Sequence, residues 1–190
     1  KVGSDEFPQD VHWSGVNAAQ RVLAKAILKC QIGDIREEGP VDSRPPKSED
    51  GEPPKSVLTT EETVVVPMTL LQEATTTDKD KVGLGFPLTA RLRVVAMKNN
   101  GDPLPENLAT ANRINQEAIK RLMLAGLGLK RTDKSDVQKM LIERGGWSAL
   151  TGKQIMVDVA VRTNNGSDFQ DFKGFSMVPD GPAATPANPF

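Results

Sequence analysis

Strict alternation of apolar and polar residues marks the segment 153–162, in which every second side chain from Ile155 to Val161 is apolar. A period of two residues is typical of a β-strand with one buried face. The Asn-Asn-Gly sequence within 163–167 predicts a hairpin loop, and 168–178 predicts the return strand. Because the alternation of that return strand is imperfect, we expect a β-bulge at Gly174.

Three earlier segments also have strand-like patterns. The segment 86–98 places Leu88, Ala90, Leu92, Val94 and Ala96 on one face, which we expect to be the inner one. The segment 20–33 alternates from Val22 to Ile32; a helix would also accommodate it, but the period of two favours a strand. β-Branched residues in 56–73 predict another strand, in which Pro67 indicates an edge, a bulge or a strand end.

Helical periodicity is confined to the region between these strands. A wide apolar stripe over 107–126 predicts an amphipathic helix. A second helix is predicted to begin at Ser135, whose side chain can cap it, and to end at Gly145-Gly146. Trp147 and Leu150 follow, and we expect both to plug one end of the core.

The segment 34–55 has the composition of a flexible loop. It is rich in Pro, Asp, Glu, Ser and Gly, which cannot supply a packed core. From Asp34 to Pro53 it holds seven acids and three bases, a net charge of −4. Because the whole chain has a net charge of −1, the remainder carries +3. An acidic insertion therefore accompanies a mildly basic body, which is compatible with a nucleic-acid partner.

The order of elements predicts a mainly β fold with helices, of the α+β class. Three strands, a helical region and a two-stranded hairpin form the order of the five-stranded OB-like barrel. The acidic Pro-rich insertion then lies between the first and second strands of a domain at 20–178. We expect 1–19 to be an N-terminal arm and 179–190 a disordered tail.

The second half of the chain resembles a family of small phage-encoded OB-fold proteins that bind single-stranded DNA. The features that carry the resemblance are Leu122-Met-Leu-Ala-Gly-Leu-Gly, Asp136-Val, Leu150-Thr-Gly-Lys-Gln-Ile-Met-Val-Asp-Val and Phe169-Gln-Asp-Phe-Lys-Gly-Phe. They cover roughly 86–178. The resemblance implies an OB fold and a role in phage DNA replication or recombination.

Catalytic chemistry has few candidate residues. The single histidine, His12, belongs to no cluster with metal-site spacing, and the sequence has no phosphate-binding glycine loop and no nucleophile elbow. We therefore expect no enzyme activity, no metal and no cofactor. The single cysteine, Cys30, excludes an internal disulfide and indicates a reducing compartment, so we expect a cytoplasmic protein, in the host cytoplasm if a phage encodes it. No stretch is apolar enough for a membrane helix, and we expect no membrane partner.

Binding of single-stranded nucleic acid requires cations along the phosphates and aromatic rings against the bases. Arg91 and Arg93 share one face of a predicted strand, roughly 6.6–6.8 Å apart, close to the spacing of phosphates in an extended strand. Phe169 and Phe172 point to opposite faces of a regular strand, so one of them is expected to be exposed. The predicted site contains Lys25, Lys29, Arg91, Arg93, Arg162, Phe169, Phe172 and Lys173.

Two alternatives to a nucleic-acid-binding protein stay open. A structural or assembly protein of a virion would use the barrel as a building block, which suits the long arms, near-neutral charge and few aromatic residues. An enzyme subunit or recombinase-loading adaptor without a site of its own is the other. The terminal Asn188-Pro189-Phe190 resembles the Pro-Phe end of bacterial single-strand-binding proteins, which implies contacts with replication proteins or with other copies of the chain.

Overall fold

The computed structural model describes residues 21–43, 59–97, 104–130 and 136–179. The predicted arm, most of the acidic insertion and the tail beyond Pro179 lie outside these residues, as do His12 and Ser135. In order along the chain the elements are β1 (Ala26–Ile32), β2 (Arg36–Ser43), β3 (Thr59–Leu70), β4 (Ala74–Thr75), β5 (Lys81–Val82), β6 (Pro87–Met97), α1 (Glu106–Leu127), α2 (Val137–Glu143), a 3₁₀ helix (Gly146–Leu150), β7 (Gln154–Asn164) and β8 (Ser167–Met177).

One antiparallel sheet of six strands organises the fold, in the order β2-β3-β1-β7-β8 with β6 on the other edge of β3. The strand β3 pairs with β6 over almost its whole length, from Thr59 opposite Met97 to Thr69 opposite Pro87. Its second edge is shared, because β2 pairs with its first half and β1 with its second. The sheet is not closed: the strands β6 and β8 at its two ends do not pair. The strands β4 and β5 form a separate small ladder.

The acidic segment is not a loop throughout, which corrects the interpretation of 34–55 as a flexible insertion. Its first part is strand β2, aligned so that Arg36 lies opposite Val65 and Asp42 opposite Thr60. A polar strand is stable here because the edge of β3 supplies its backbone hydrogen bonds. The register shifts between Glu38 and Val41, and the strand continues beyond the shift.

The other predicted elements are present with modest changes of boundary. The first strand begins at Ala26, and the preceding residues make only an isolated bridge from Leu23 to Thr76. The helix α2 has Asp136 as its N-cap, whose carboxylate accepts a hydrogen bond from the Lys139 amide at 3.3 Å. The predicted bulge is confirmed, because the β7–β8 register shifts next to Gly174.

The core lies between the inner face of the sheet and α1. Its largest fully buried side chains are Leu23, Leu28, Ile32, Leu70, Leu122, Leu150, Ile155, Val66, Val157 and Val159. Leu150 is fully buried, as predicted for a plug, and it packs so closely on Gly126 of α1 that a Cβ there would lie 2.8 Å from Leu150 Cδ2. Trp147 is only half-buried, and its Nε1 donates a hydrogen bond to Glu37 Oε1 at 2.6 Å. The indole therefore fastens the 3₁₀ helix to β2.

Helix α1 occupies the gap between the two end strands and contacts both β6 and β8. The buried Asn112 bonds both backbone groups of Val95: its Oδ1 accepts from the amide at 2.7 Å, and its Nδ2 donates to the carbonyl. One turn later, Asn115 Nδ2 donates to the Arg93 carbonyl at 2.6 Å. Side-chain amides of the helix thus satisfy backbone groups on the edge of β6 that another strand would otherwise bond.

Candidate nucleic-acid interface

The outer face of β3 and β6 carries the predicted arginine pair. Leu88, Ala90 and Leu92 are buried toward the helix, so the intervening Arg91 and Arg93 point to the outer face, as their alternation predicts. Across the ladder, Arg91 lies opposite Val65 and Arg93 opposite Thr63. Both guanidinium groups remain largely accessible, with side-chain exposures of 56% and 63%.

Both arginines have carboxylate partners that the sequence interpretation did not include. Arg91 forms an ion pair with Glu38 of β2, and Arg93 Nε lies 2.8 Å from Glu61 Oε1 of β3. Arg36 also binds Glu38, with its Nε 3.2 Å from Glu38 Oε1. The outer face therefore holds a network of three arginines and two glutamates across β2, β3 and β6. We call these five residues the arginine network.

The arginine network changes the pKa of the Glu38 carboxyl. The pKa of its carboxyl is lowered from the usual 4.5, first by the hydrogen bond from Arg36, with smaller contributions from Arg91, and partial desolvation opposes them. The carboxylate is consequently ionised at neutral pH. It occupies the position on Arg91 that a phosphate oxygen would take, because guanidinium groups bind both anions with the same donors.

The β7–β8 hairpin presents a different arrangement. Arg162 lies directly opposite Phe169 in the ladder, and its guanidinium carbon is 5.6 Å from the centre of the phenyl ring. Phe169 is 38% exposed, and it is the aromatic side chain among the exposed large apolar residues of the described chain. Asn165 and Gly166 make the turn with φ values of 49° and 76°, the two positive angles of a type I′ hairpin. We call Arg162 and Phe169 the hairpin pair.

The remaining predicted site residues are dispersed. Phe172 packs against the core and lies opposite Val159, so its ring faces inward, and only Phe169 is on the outside. Lys173 occupies the bulge, where its Nζ is 2.6 Å from Asp171 Oδ2. Lys25 precedes β1 and is exposed, and Lys29 is half-buried opposite Met156.

The predicted residues do not form one compact cluster. The amide of Leu71 bonds the Lys29 carbonyl at 2.9 Å, whereas Arg91 lies opposite Val65. Six residues of strand correspond to roughly 20 Å, so Lys29 and the arginine network lie far apart on the sheet. The sheet brings together Arg91 with Arg93, and Arg162 with Phe169, as two separate groups.

Sequence reasoning missed charged residues on three elements. Arg36 and Glu38 lay in the segment interpreted as a loop, and Glu61 lay in the predicted strand 56–73, but the β6 arginines that bind the two glutamates come from another strand. Arg113 and Arg121 lie on one side of α1 with Glu117 between them, and Arg121 Nε is 3.0 Å from Glu117 Oε1. Their spacing of four residues is a helix-surface signal that could have identified this row.

Other site types find little support in the described part of the chain. Across 21–43, 59–97, 104–130 and 136–179, no group of three or more His, Cys, Asp or Glu side chains could hold a metal ion. Cys30 is fully buried, and burial raises the pKa of its thiol to about 11, which agrees with a structural role. Within the same residues, no helix combines the length and apolar character needed to cross a bilayer.

Comparisons with known proteins assign no family to this chain. No protein-family model matches the sequence, and no curated protein matches it.

Proposed function

We propose that this chain is a single-stranded DNA-binding protein built on a variant of the OB barrel, acting in phage replication or recombination. The observation that carries the proposal is the connectivity of the sheet. The strands β1 and β2 follow one another along the same edge of β3, with the Gly33 amide bonded to the Pro67 carbonyl at 2.8 Å between them. Read as one bent strand, they reduce the main sheet to five strands, with the helices between the third and the fourth.

In this reading β3 and β6 are the second and third OB strands, and β7 and β8 are the fourth and fifth. The pairings of the first strand with the second and fourth, of the second with the third, and of the fourth with the fifth are present. The departure is at the closing pair, where α1 lies between β6 and β8. A helix that bonds the open edge through Asn112 and Asn115 gives a physical reason for the open sheet.

OB folds bind oligonucleotides on the face of their second and third strands and with neighbouring loops, including the loop between the fourth and fifth strands. In this chain that face carries the arginine network, and the corresponding loop is the turn at Asn165-Gly166, next to the hairpin pair. We propose that phosphates replace Glu38 and Glu61 on the arginines, and that Phe169 stacks on a base. The resemblance to phage single-stranded DNA-binding proteins agrees with this assignment.

The decisive experiment is a fluorescence-anisotropy titration of a labelled oligothymidine with the full chain, repeated over a series of salt concentrations. We expect binding that weakens as salt rises, with a logarithmic slope of about −0.7 for each phosphate contacted. A duplex of the same length is the control, and we expect it to bind more weakly because its bases are not available for stacking. Absent binding at low salt, or binding unaffected by salt, would contradict the proposal.

A virion assembly role is the second candidate. The observation that favours it is the arginine network itself, because two glutamates neutralise most of its charge. Sedimentation velocity over a range of protein concentrations separates the two functions. Ordered oligomers formed without DNA, combined with no oligonucleotide binding, would favour assembly.

A further inference from the structure

A basic groove runs along the seam between α1 and β8, and Lys173 is the one residue of the predicted site among its described lining. Its first part is a cavity of about 510 Å³ between the middle of α1 and the bulge of β8, and its second is a cavity of about 390 Å³ between the end of α1 and the last residues of β8. Arg121 lines both cavities, so the two are adjacent. We call this groove the α1–β8 seam.

The charges of the seam are strongly one-sided. Its described lining includes four cations, Arg113, Arg121, Lys130 and Lys173, and a single acid, Glu117. Arg113 and Lys130 are exposed, and their positions lie toward opposite ends of the groove. When Asp171, which lies 2.6 Å from Lys173 Nζ, is also counted, the local net charge is +2, whereas that of the whole chain is −1. Such a concentration of charge raises the local potential and attracts anions.

Helix α1 separates this groove from the edge of β6. Asn115 bonds the Arg93 carbonyl at 2.6 Å. Arg113 precedes Asn115 by two residues, about 200° around the helix, and so lies on the opposite side of α1. There the Arg121 guanidinium lies against Gly174, where a Cβ would be 3.6 Å from its terminal nitrogen. The seam therefore follows the β8 side of α1.

We propose that the α1–β8 seam binds the phosphate backbone of a single-stranded nucleic acid and forms one part of its binding track, with the edge of β6 on the opposite side of α1. This inference rests on the proposed function and adds a second contact region to it. The eight helical steps from Arg113 to Arg121 span about 12 Å of helix axis, a length that a few nucleotides cover. Because the lining beyond the cations is largely aliphatic and has one aromatic side chain, Phe175, which is buried, the seam binds phosphates without reading bases.

The test compares two double variants. One removes two cations from the ends of the seam, and the other removes two cations from another part of the surface. The seam variant is Arg113→Gln with Lys130→Gln. The matched control is Lys139→Gln with Arg144→Gln, which removes the same residue types from exposed positions on and after α2. Both double variants and wild type are titrated with labelled oligothymidine from low to high salt, and their thermal unfolding is compared.

We expect the seam variant to lose about 25-fold in affinity at 0.1 M salt, because two lost phosphate contacts remove about 1.4 from the magnitude of the salt slope. The control should change affinity less than about two-fold, since screening weakens charges beyond about 10 Å. Arg121→Gln provides an independent single variant, with an expected loss of about five-fold. Its urea midpoint separates lost binding from lost folding.

The possible outcomes distinguish this inference from the proposed function. If wild type binds and the seam variant has the affinity and salt slope of the control, the seam is not part of the track, while the proposed function stands. If wild type does not bind, the proposed function fails and the seam inference fails with it.

Discussion

Both ends of the sheet carry outward-facing arginines, but the partners of these arginines differ. At the β6 end, Arg91 and Arg93 are held by carboxylates of β2 and β3. At the β8 end, Arg162 lies over the ring of Phe169. An arginine on a carboxylate must exchange one anion for another to bind phosphate, whereas an arginine on a ring keeps its donors available. The residues of the neighbouring strand therefore determine whether an outward arginine is available to a ligand.

The backbone edges of the two end strands differ as well. The outer edge of β6 bonds Asn112 and Asn115, while β8 is covered by the side-chain packing of α1. Removing the partner of a hydrogen-bonded edge destabilises the fold, because the backbone groups stay buried and lose their hydrogen bonds. A packed edge tolerates small changes better.

The largest expected effect is on the β6 edge. Asn112→Ala leaves the amide and the carbonyl of Val95 without their partners, so we expect the free energy of unfolding to fall by about 2–4 kcal/mol. Urea unfolding followed by circular dichroism measures it. The control is Asn115→Ala, which loses one bond from a half-buried position and should cost about 1 kcal/mol. Equal losses from the two variants would contradict the edge-capping role of Asn112.

The next effect concerns the hairpin pair and the proposed binding. Phe169→Ala should weaken oligothymidine binding by about 1–3 kcal/mol, the usual contribution of one stacked base. Arg91→Gln should weaken binding less, because Arg91 already binds Glu38 and a phosphate must displace that carboxylate before it contacts the arginine. Isothermal titration calorimetry of both variants compares them directly. A larger loss from Arg91→Gln would reverse the ranking of the two ends.

A smaller effect, of opposite sign, is expected from Glu38. Glu38→Gln removes the competing anion from Arg91 and Arg36, so we expect oligothymidine affinity to rise about five-fold at low salt, near 1 kcal/mol for one charge at close range. The gain should disappear at high salt. Glu62→Gln is the matched control, because Glu62 neighbours Glu61 on β3 and points to the opposite face. An equal gain from both variants would indicate a general charge effect.

The smallest effect is on acid stability. The pKa of Glu38 is lowered in the folded chain by Arg36 and then by Arg91, so its ion pairs stabilise the fold fully above the ordinary carboxyl pKa of 4.5. That contribution is lost as pH falls through the lower folded pKa. We expect wild type to lose slightly more stability than Glu38→Gln on acidification from pH 7 to below 4.5, measured by urea midpoints. Identical acid sensitivity would show that the ion pairs of Glu38 add nothing to stability.

Elements with a local signal were largely predictable from the sequence. The alternation in β6 and β7, the stripe of α1 and the turn at Asn165-Gly166 depend on residues close in the chain, and the structure has each of them. The bulge at Gly174 was predictable for the same reason. Strand β2 was not, because its acidic composition imitates a loop and its stability comes from the distant β3.

The candidate site, too, was predictable where it depends on local sequence and not where it depends on distant pairing. The outward direction of Arg91 and Arg93 followed from the period of a strand, as did the expectation that either Phe169 or Phe172 is exposed. Only the structure identified Phe169 as the exposed one. The partners of the two arginines did not follow, because Glu38 precedes Arg91 by 53 residues and only the pairing of β2 with β3 brings them together.

By itself, the sequence determined where the main strands and helices other than β2 form and which of their faces are apolar, because those properties arise from the chemistry of neighbouring residues. The tertiary structure alone decided that α1 lies between β6 and β8, that the sheet stays open, and that glutamates meet the arginines of one end while a phenyl ring meets the arginine of the other. The physical reason is that backbone edges and charges are satisfied by whatever group the fold brings within bonding distance, and that distance is independent of separation along the chain.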